Sequence, residues 1–317
     1  PLFLCEECSG ELQDSDGNLK CESCGKSFGV VNDGVPVFEN AVNHEDFFDK
    51  MVVERLVALY EGYDQEAFKD ALKRTALWEM DAVNKKVGIA RKFWWETHIG
   101  KVENKSVLEV GCGVNYFLPY WLESNNDVVA FDTCRENVVL SRRILKMIGI
   151  PETRIDFAVA DAQTTRFNRT FDIININNVL HHIDDKREVF ARMRECLADD
   201  GKLLLVEPNY YYPPRWVIET DALDPINFIK NYFVRNELIE KGEKAIIFSK
   251  LKSDLEAAGF HIEADDKDIN YLGYFSIYWM GTDNPLAWLF STLDRYLLSP
   301  LLPRVLAPFE YIVARKA

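Results

Sequence analysis

The spacing of apolar and polar positions divides the chain into three parts. Residues 1–38 contain short alternating runs that predict strands, and Asp33-Gly34 predicts a tight turn between the last two of them. From about Asn43 to Gly100, apolar residues recur at helical spacing, which predicts helices. From residue 101 to about residue 260, β-rich runs alternate with helical stretches.

Such an alternation predicts a doubly wound α/β fold, in which helical crossovers connect the strands of a mainly parallel sheet. The predicted strands are Ser106–Val110, Val128–Phe131, Ile155–Val159, Phe171–Asn177, Lys202–Glu207 and, at the end, Tyr311–Ala314. Helices are predicted at 135–148, at 186–198 and at Leu251–Ala258, where Gly259 suits a helix end.

Composition and charge narrow the class of protein. Of 317 residues, 48% are hydrophobic and 28% are charged, which is typical of a globular enzyme. The formal net charge of −14 disfavours nucleic-acid binding, because a phosphate backbone would be repelled. No secretory signal opens the sequence and no apolar run of about 18 residues occurs, so we expect a cytoplasmic protein.

Four of the seven cysteines form a metal-binding pattern. Cys5 and Cys8 are followed after twelve residues by Cys21 and Cys24, and two such pairs present four thiolates to one tetrahedral ion. We expect a structural Zn²⁺, because four thiolates leave no open coordination position. The other three cysteines are isolated, which favours free thiols in a reducing compartment over a disulfide framework.

The N-terminal motif carries a first family resemblance. The runs Leu4-Cys5, Leu19-Lys20-Cys21 and Val31-Asn32-Asp33-Gly34-Val35-Pro36-Val37 resemble the zinc-ribbon activator subunit of tRNA and rRNA methyltransferases. The resemblance covers about 35 residues and says little about a substrate. It implies a zinc ribbon at 1–40 that braces the rest of the chain or a partner surface.

A glycine loop follows the first predicted strand of the α/β region. Glu109-Val110-Gly111-Cys112-Gly113 lets the backbone turn sharply and approach a ligand closely. A dinucleotide-binding loop would carry a third glycine and place a pyrophosphate there. Glu109 would repel a pyrophosphate, and it suits a cationic ligand that bears an amino group.

Further acids follow the next strands. Asp132 ends the second strand of the α/β region, where it can accept both hydroxyls of a ribose. Asp161-Ala162 follows the third strand, within reach of an adenine edge. The fourth strand leads to Leu180-His181-His182-Ile183.

Together these motifs resemble class I S-adenosylmethionine (SAM)-dependent methyltransferases, from about residue 80 to 317, and most closely those that act on small molecules, sugars and lipid precursors. The resemblance implies a seven-stranded, mainly parallel sheet. It also implies that Glu109, Gly111, Cys112 and Gly113 hold the methionine part of SAM, Asp132 the ribose, and Asp161 and Ala162 the adenine. Asn177 would line the floor of the pocket.

A hydroxyl acceptor would benefit from a general base, for which histidine is the most frequent residue. His181 and His182 lie just after the fourth strand, and some related O-methyltransferases use a histidine here, helped by a carboxylate at the position of Glu207. The alternative is that the two histidines serve packing or loop hydrogen bonds.

The domain organisation follows from these patterns. We expect a zinc ribbon at 1–40, a helical cap at 41–100 and a SAM-binding domain at 101–317, with insertions at 208–250 and 282–308. Aromatic residues could wall the mouth of the site: Trp94, Trp95 and Tyr116 on one side, and Tyr210, Tyr211, Tyr212 and Trp216 on the other. The alternative is that they belong to the core.

The second insertion is mildly basic and apolar. Leu286, Leu289, Phe290, Leu293 and Leu297 share one helical face. This face predicts either a packed helical cap or homodimer contact, or contact of 285–309 with a membrane surface or a lipid-linked substrate.

We therefore expect a methyltransferase that acts on oxygen of a small molecule, a sugar or a lipid-linked glycan. RNA methylation is an alternative suggested by the ribbon, although the sequence shows no Lys/Arg cluster near the site. A SAM-binding module without catalysis is a third.

Overall fold

The computed structural model describes residues 2–41, 95–96, 98–113, 118–147, 150–183, 185–209, 246–267 and 309–317, with isolated residues between 286 and 307. The predicted helical cap therefore falls largely outside the described residues, as does most of the insertion at 208–250. Within the described part of the chain, no helix is long and apolar enough to cross a membrane.

One sheet organises most of the described chain. The strands of the described residues are β1 (Phe3–Leu4), β2 (Leu12–Ser15), β3 (Asn18–Cys21), β4 (Ser27–Asn32), β5 (Val35–Phe38), β6 (Ser106–Val110), β7 (Asp127–Asp132), β8 (Ile155–Val159), β9 (Arg166–Phe167), β10 (Phe171–Asn177), β11 (Leu197–Pro208), β12 (Phe260–Lys267) and β13 (Phe309–Lys316). Eleven of them join in the order β12-β13-β11-β10-β6-β7-β8-β5-β4-β3-β2, and β1 pairs separately with β9.

The predicted parallel sheet is confirmed in its central strands. β11, β10, β6, β7 and β8 pair in parallel, and the predicted bounds of β6, β8 and β10 agree with the structure. Strand β13 lies antiparallel between β11 and β12. Strands β2, β9 and β12 were not predicted.

Strand β11 begins earlier than predicted. It starts at Leu197, next to the end of the preceding helix, and it contains an irregularity that takes up residues 198–201 before regular pairing resumes at Lys202. Only the regular part was predicted, because the acids at 199 and 200 are not typical of a strand.

The helices cover the sheet with apolar faces. They are α1 (Leu118–Glu123), α2 (Arg135–Met147), α3 (Lys186–Cys196) and α4 (Phe248–Ala257). Helix α3 buries Val189, Phe190 and Met193, which recur at helical spacing, and α4 packs against it. The predicted helix end at Gly259 is confirmed by its φ of 83°.

The N-terminal segment, which we define as residues 2–41, extends this sheet instead of standing apart. The predicted turn at Asp33-Gly34 connects β4 and β5, and both residues have positive φ, of 55° and 74°. Strand β5 then pairs in parallel with β8 through Val37 and Val159. The continuous sheet consequently has eleven strands, whereas the resemblance implied seven.

The apolar residues of the second insertion that the structure describes lie at the surface. The large exposed hydrophobic residues there are Leu286, Leu289, Leu293, Leu297 and Leu301, with exposed fractions between 36% and 73%. These leucines are therefore not packed into the core of this chain.

Candidate cofactor and catalytic site

The predicted site residues meet at one edge of the sheet. Parallel strands end at the same edge, and we call this the carboxyl edge. It brings together residues from the ends of β6, β7, β8, β10 and β11: Glu109, Asp132, Asp161, Asn177 and Glu207. The chain thus gathers several buried acids where a doubly wound sheet binds its ligands.

The glycine loop after β6 is held on both sides. Gly111 has a φ of 64°, and a Cβ atom there would lie 2.4 Å from Cγ2 of Val179. Gly113 has a φ of 52°, its N–H donates to Oδ2 of Asp132 at 2.7 Å, and its carbonyl accepts from Oγ of Ser141 at 2.8 Å. Both glycines are therefore needed for the backbone path, and Gly111 also for the close approach to Val179.

Cys112, between the two glycines, faces inward. Its exposed fraction is 4%, and its N–H donates to the carbonyl of Phe131 at 2.9 Å. Burial raises the pKa of the Cys112 thiol well above its ordinary value, so the sulfur is a neutral packing group at physiological pH.

Asp132 is the hydrogen-bond centre of the loop. Its oxygens accept from the N–H of Gly113 at 2.7 Å, the N–H of Cys134 at 2.8 Å and Nδ2 of Asn137 at 3.4 Å. Burial raises the pKa of Asp132, whereas these three donors act in the opposite direction. An ionised carboxylate offers about four acceptor positions, so one position and the long contact with Asn137 are available for ligand hydroxyls.

Glu109 is oriented by two side chains. Its carboxylate accepts from Nε1 of Trp121 at 2.7 Å and from Nδ2 of Asn175 at 3.0 and 2.9 Å. Its exposed fraction is 2%. These contacts fix the position of the buried carboxylate, and its contact with the amino group of SAM stays a prediction.

Loop 160–165, between β8 and β9, closes on Asp161. The Asp161 side chain accepts from the N–H of Gln163 at 2.8 Å, and its carbonyl accepts from the N–H groups of Thr164 and Thr165 at 3.2 and 2.9 Å. Ala162 is buried beside it. The loop is thus an ordered turn at the carboxyl edge.

Asn177 ends β10 and lies half-buried. The next residue, Asn178, has a φ of 58°, and its N–H donates to the carbonyl of Val206 at 2.8 Å. This turn directs the chain towards the histidines, and the role of Asn177 in the pocket floor stays a prediction.

Glu207 connects β11 to the histidine turn. Its side chain is fully buried, and its Oε1 accepts from the N–H groups of Val179 and Leu180 at 2.9 and 2.7 Å. Its Oε2 lies 2.8 Å from Nδ1 of His181. One carboxylate therefore fixes both the backbone of the turn and the imidazole ring.

The contact with Glu207 sets the protonation of His181. A carboxylate oxygen accepts, so Nδ1 carries the hydrogen and Nε2 of His181 is left as the acceptor. The ring of His182 packs on that of His181, with centroids 3.7 Å apart. The contact consequently fixes the position of the His181 ring and its tautomer, and its role as a general base stays a prediction.

The four cysteines of the N-terminal segment form a cluster. Their Sγ atoms all lie within 4.8 Å of one another, with 3.9 Å between Cys5 and Cys24 and 3.5 Å between Cys8 and Cys21. Four sulfurs at about 2.3 Å from a tetrahedral Zn²⁺ would be about 3.8 Å apart. The cluster therefore fits a Zn²⁺ ion.

The two knuckles of the cluster reach their shape differently. In the second knuckle Gly25 has a positive φ, of 72°, whereas in the first knuckle Ser9 takes the positive φ, of 58°. Gly10 is required by space, because a Cβ atom there would lie 2.4 Å from Oγ of Ser23 and 2.9 Å from Sγ of Cys21.

Of the predicted aromatic walls, only Trp95 lies within the described residues. It is fully buried and makes an edge-to-face contact with Tyr311, at 5.8 Å between centroids. Trp95 is therefore a core residue, and its predicted place in the mouth of the site is wrong. Trp94, Tyr116, Tyr210, Tyr211, Tyr212 and Trp216 lie outside the described residues.

The side chains that orient the acids were not predicted from the sequence. Asn175 interrupts the apolar run of β10, and a polar residue inside a buried strand signals a specific partner. Trp121 and Asn137 lie on helices and carry no such signal.

Comparison with known proteins agrees with this arrangement. Residues 60–264 match a family described as a methyltransferase domain. Phosphoethanolamine N-methyltransferase 3 of Arabidopsis thaliana is 31% identical over 105 residues, which are 32% of this chain and 21% of the plant protein. The mitochondrial ubiquinone biosynthesis O-methyltransferase of Schizosaccharomyces pombe is 20% identical over 101 residues, 32% of this chain and 37% of the yeast protein.

A solved structure shows the same fold. Geranyl diphosphate C-methyltransferase from Streptomyces coelicolor superposes with a TM-score of 0.52 at 13% identity, and the match covers 88% of this chain and 95% of that one. The sheet and its carboxyl edge thus define a class I SAM-dependent methyltransferase fold. The chain belongs to the methyltransferase-domain family. It spans well under two thirds of the length of the curated relatives it matches.

Proposed function

We propose that the chain transfers the methyl group of SAM to a hydroxyl oxygen of a small molecule, a sugar or a lipid-linked glycan. The observation that carries the proposal is the pair formed by Glu207 and His181, with 2.8 Å between Oε2 and Nδ1 at the carboxyl edge. A histidine held in this tautomer is suited to remove a proton from a hydroxyl group.

SAM supplies an activated methyl group when bound, so the protein must align the acceptor, exclude water and receive a proton. In the proposed step the acceptor oxygen forms the new C–O bond while the bond from carbon to the sulfonium sulfur breaks. The hydroxyl proton moves to Nε2 of His181, and Glu207 stabilises the resulting imidazolium. The products are the methyl ether and S-adenosylhomocysteine.

The cofactor contacts that we propose follow the carboxyl edge. Glu109 and the loop Gly111-Cys112-Gly113 would hold the methionine part, and Asp132 the ribose. Asp161 and Ala162 would hold the adenine, with Asn177 in the pocket floor. The hydrogen bond from Gly113 to Asp132 supports this assignment, because it brings the first two of these regions together.

Our choice of oxygen as the acceptor atom rests on the chemistry of the site, because the two curated relatives are named for different acceptor atoms. The plant relative is named as an N-methyltransferase and the yeast relative as an O-methyltransferase. We favour oxygen because a hydroxyl group gains from a base as methyl transfer proceeds.

RNA methylation, the main alternative, receives no support from the charges. Residues 1–41 contain eight acidic residues and only two lysines, and the formal charge of the chain is −14. Such a surface would repel a phosphate backbone. A SAM-binding module without catalysis is the remaining alternative, and the contact between Glu207 and His181 argues against it.

We propose further that Cys5, Cys8, Cys21 and Cys24 bind one Zn²⁺ with a structural role. The spacing of the four sulfur atoms supports this proposal. The exposed leucines of the second insertion support contact of 285–309 with a lipid or membrane surface, and a homodimer stays a prediction.

The test is an assay for S-adenosylhomocysteine formation with a panel of hydroxylated acceptors, which we expect to yield product with at least one class. The matched protein is His181→Ala, which should bind SAM and form almost no product. Efficient methylation of RNA, or of an amine with no dependence on His181, would contradict the proposal.

A further inference from the structure

Both strands that flank loop 160–165 pair with the N-terminal segment. Strand β8 ends at Val159, which pairs with Val37 of β5. Strand β9 pairs with β1 through Phe167 and Phe3. The loop that carries Asp161 is therefore anchored at both ends by the first 38 residues of the chain.

A chain of side-chain contacts reaches the loop itself. Nδ2 of Asn40 donates to Oγ1 of Thr164 at 2.6 Å, and the same nitrogen lies 3.0 and 3.3 Å from the carboxylate oxygens of Glu6. The N–H of Thr164 donates to the carbonyl of Asp161 at 3.2 Å. Glu6 lies in the first knuckle of the cysteine cluster. We call Glu6, Asn40 and Thr164 the relay.

We propose that the relay positions loop 160–165 for the adenine of SAM, so that metal binding at the cysteine cluster raises the affinity for SAM. This rests on the proposed function, because it takes Asp161 and Ala162 as the adenine contacts. A metal held by Cys5 and Cys8 fixes the backbone between them and hence Glu6. A loop that is ordered before SAM arrives loses less conformational entropy on binding.

Other contacts hold the N-terminal segment independently of the relay. Phe3 packs against Phe38 and Phe167, with centroids 5.2 and 5.4 Å apart. Nδ2 of Asn168 donates to Oε1 of Glu11 at 2.9 Å, at the same interface but outside the loop. Cutting the relay should therefore leave the segment attached, and Asn168 supplies a matched control.

The experiment measures SAM affinity by calorimetry on the metal-loaded full chain and on Asn40→Ala, Thr164→Val and Asn168→Ala. We expect each relay variant to raise Kd about 3- to 10-fold, the scale of one net hydrogen bond, and Asn168→Ala to leave it unchanged. The double variant Asn40→Ala/Thr164→Val should bind SAM no more weakly than either single variant, because the contacts act in series. Thermal melting checks that every variant is folded.

A second arm tests the metal itself. Removing it with a chelator should raise the Kd of the parent towards that of Asn40→Ala and should change the variant less. Amide hydrogen exchange of 160–165 should be faster in the chelated parent and in Asn40→Ala than in the metal-loaded parent.

Relay variants that bind SAM as tightly as Asn168→Ala would overturn the proposal, as would chelated parent protein with unchanged affinity. If the chelated protein unfolds, the Kd values of the metal-loaded relay variants and of Asn168→Ala still decide whether the proposal holds. A parent protein that binds no SAM would instead refute the proposed function, and the relay proposal with it.

Discussion

Replacing Glu207 by Gln tests whether the buried carboxylate controls the protonation of His181. Oε1 of Glu207 accepts from the N–H groups of Val179 and Leu180 at 2.9 and 2.7 Å, and Oε2 lies 2.8 Å from Nδ1 of His181. Gln has one acceptor oxygen and one NH₂ group. We expect its oxygen to keep the two backbone donors, because the NH₂ group would face two N–H groups there.

That arrangement reverses the tautomer of His181. The NH₂ group then points at Nδ1, which must become an acceptor, and the hydrogen moves to Nε2. Loss of a general base lowers a rate by about 10²–10⁴-fold. The comparable change in the Asp–His pair of serine proteases lowers kcat by about 10⁴-fold. We therefore expect the turnover of Glu207→Gln to fall by about 10²–10⁴-fold.

The assay is the initial rate of methyl transfer at saturating SAM, measured with the acceptor found by the substrate screen. His181→Ala should behave like Glu207→Gln, whereas His182→Ala should keep most of the turnover. SAM affinity, measured by calorimetry, should change little in all three.

Glu310→Gln is the matched control. Glu310 is buried on β13 and is paired in register with Glu207, but its described ion-pair partner is Lys252, at 3.8 Å. Turnover of Glu207→Gln close to that of Glu310→Gln would refute the role of His181 as a base. Loss of SAM binding together with turnover would instead identify the pair as structural.

Three further predictions concern the metal, the ribose site and the glycine loop. Elemental analysis should find one zinc per chain, and Cys24→Ser should lower both the zinc content and the melting temperature; unchanged melting would contradict a structural role. Asp132→Ala should weaken SAM binding by about 1.5–3 kcal/mol, because hydrogen bonds to a charged group are lost. Burial raises the pKa of Asp132, so this carboxyl group takes up its proton at a higher pH than an ordinary aspartate does. As pH falls, the affinity of the parent for SAM should therefore begin to decline at a higher pH than an ordinary carboxyl group would cause. Calorimetry should find no such decline in Asp132→Ala. Gly111→Ala places a methyl group 2.4 Å from Val179 at a φ of 64°, and it should cost about 1–3 kcal/mol of stability, measured by denaturant unfolding.

The central strands and the glycine loop could be predicted because their signals are local. Strands β6, β8 and β10 have the predicted bounds, since each is a β-rich run between polar turns. The roles of the acids at their ends rest on the family resemblance. The contacts of Glu109 with Trp121 and Asn175 could not be predicted, because they depend on how a helix and two strands pack.

The pairing of the N-terminal segment with the central sheet was also not predicted. Val37 and Val159 are 122 residues apart, and no local pattern specifies a parallel pairing between them. Without the N-terminal segment, β8 would be an edge strand with unpaired backbone groups, and β5 pairs with it. A strand of two residues such as β9 has no pattern of its own in the sequence, and only its pairing with β1 defines it.

The acids at the carboxyl edge hold backbone loops before they meet any ligand. Asp132 accepts from the N–H groups of Gly113 and Cys134, and Glu207 accepts from those of two residues in the histidine turn. Removing such a carboxylate leaves buried N–H groups without acceptors, at about 1–3 kcal/mol each. An alanine variant of such an acid therefore loses a ligand contact and also weakens the hydrogen bonds that hold a loop in place.

The two contributions can be separated by how they respond to the ligand. Disorder of a loop lowers the melting temperature of the ligand-free chain, whereas a lost ligand contact reduces only the increase in melting temperature that SAM produces. For Asp132→Ala we expect both effects, because its oxygens accept hydrogen bonds in the ligand-free fold and retain one position for the ribose. For His181→Ala we expect a lower melting temperature of the ligand-free chain, because Oε2 of the buried Glu207 loses its partner. The increase that SAM produces should change little, because His181 lies beyond the proposed cofactor contacts.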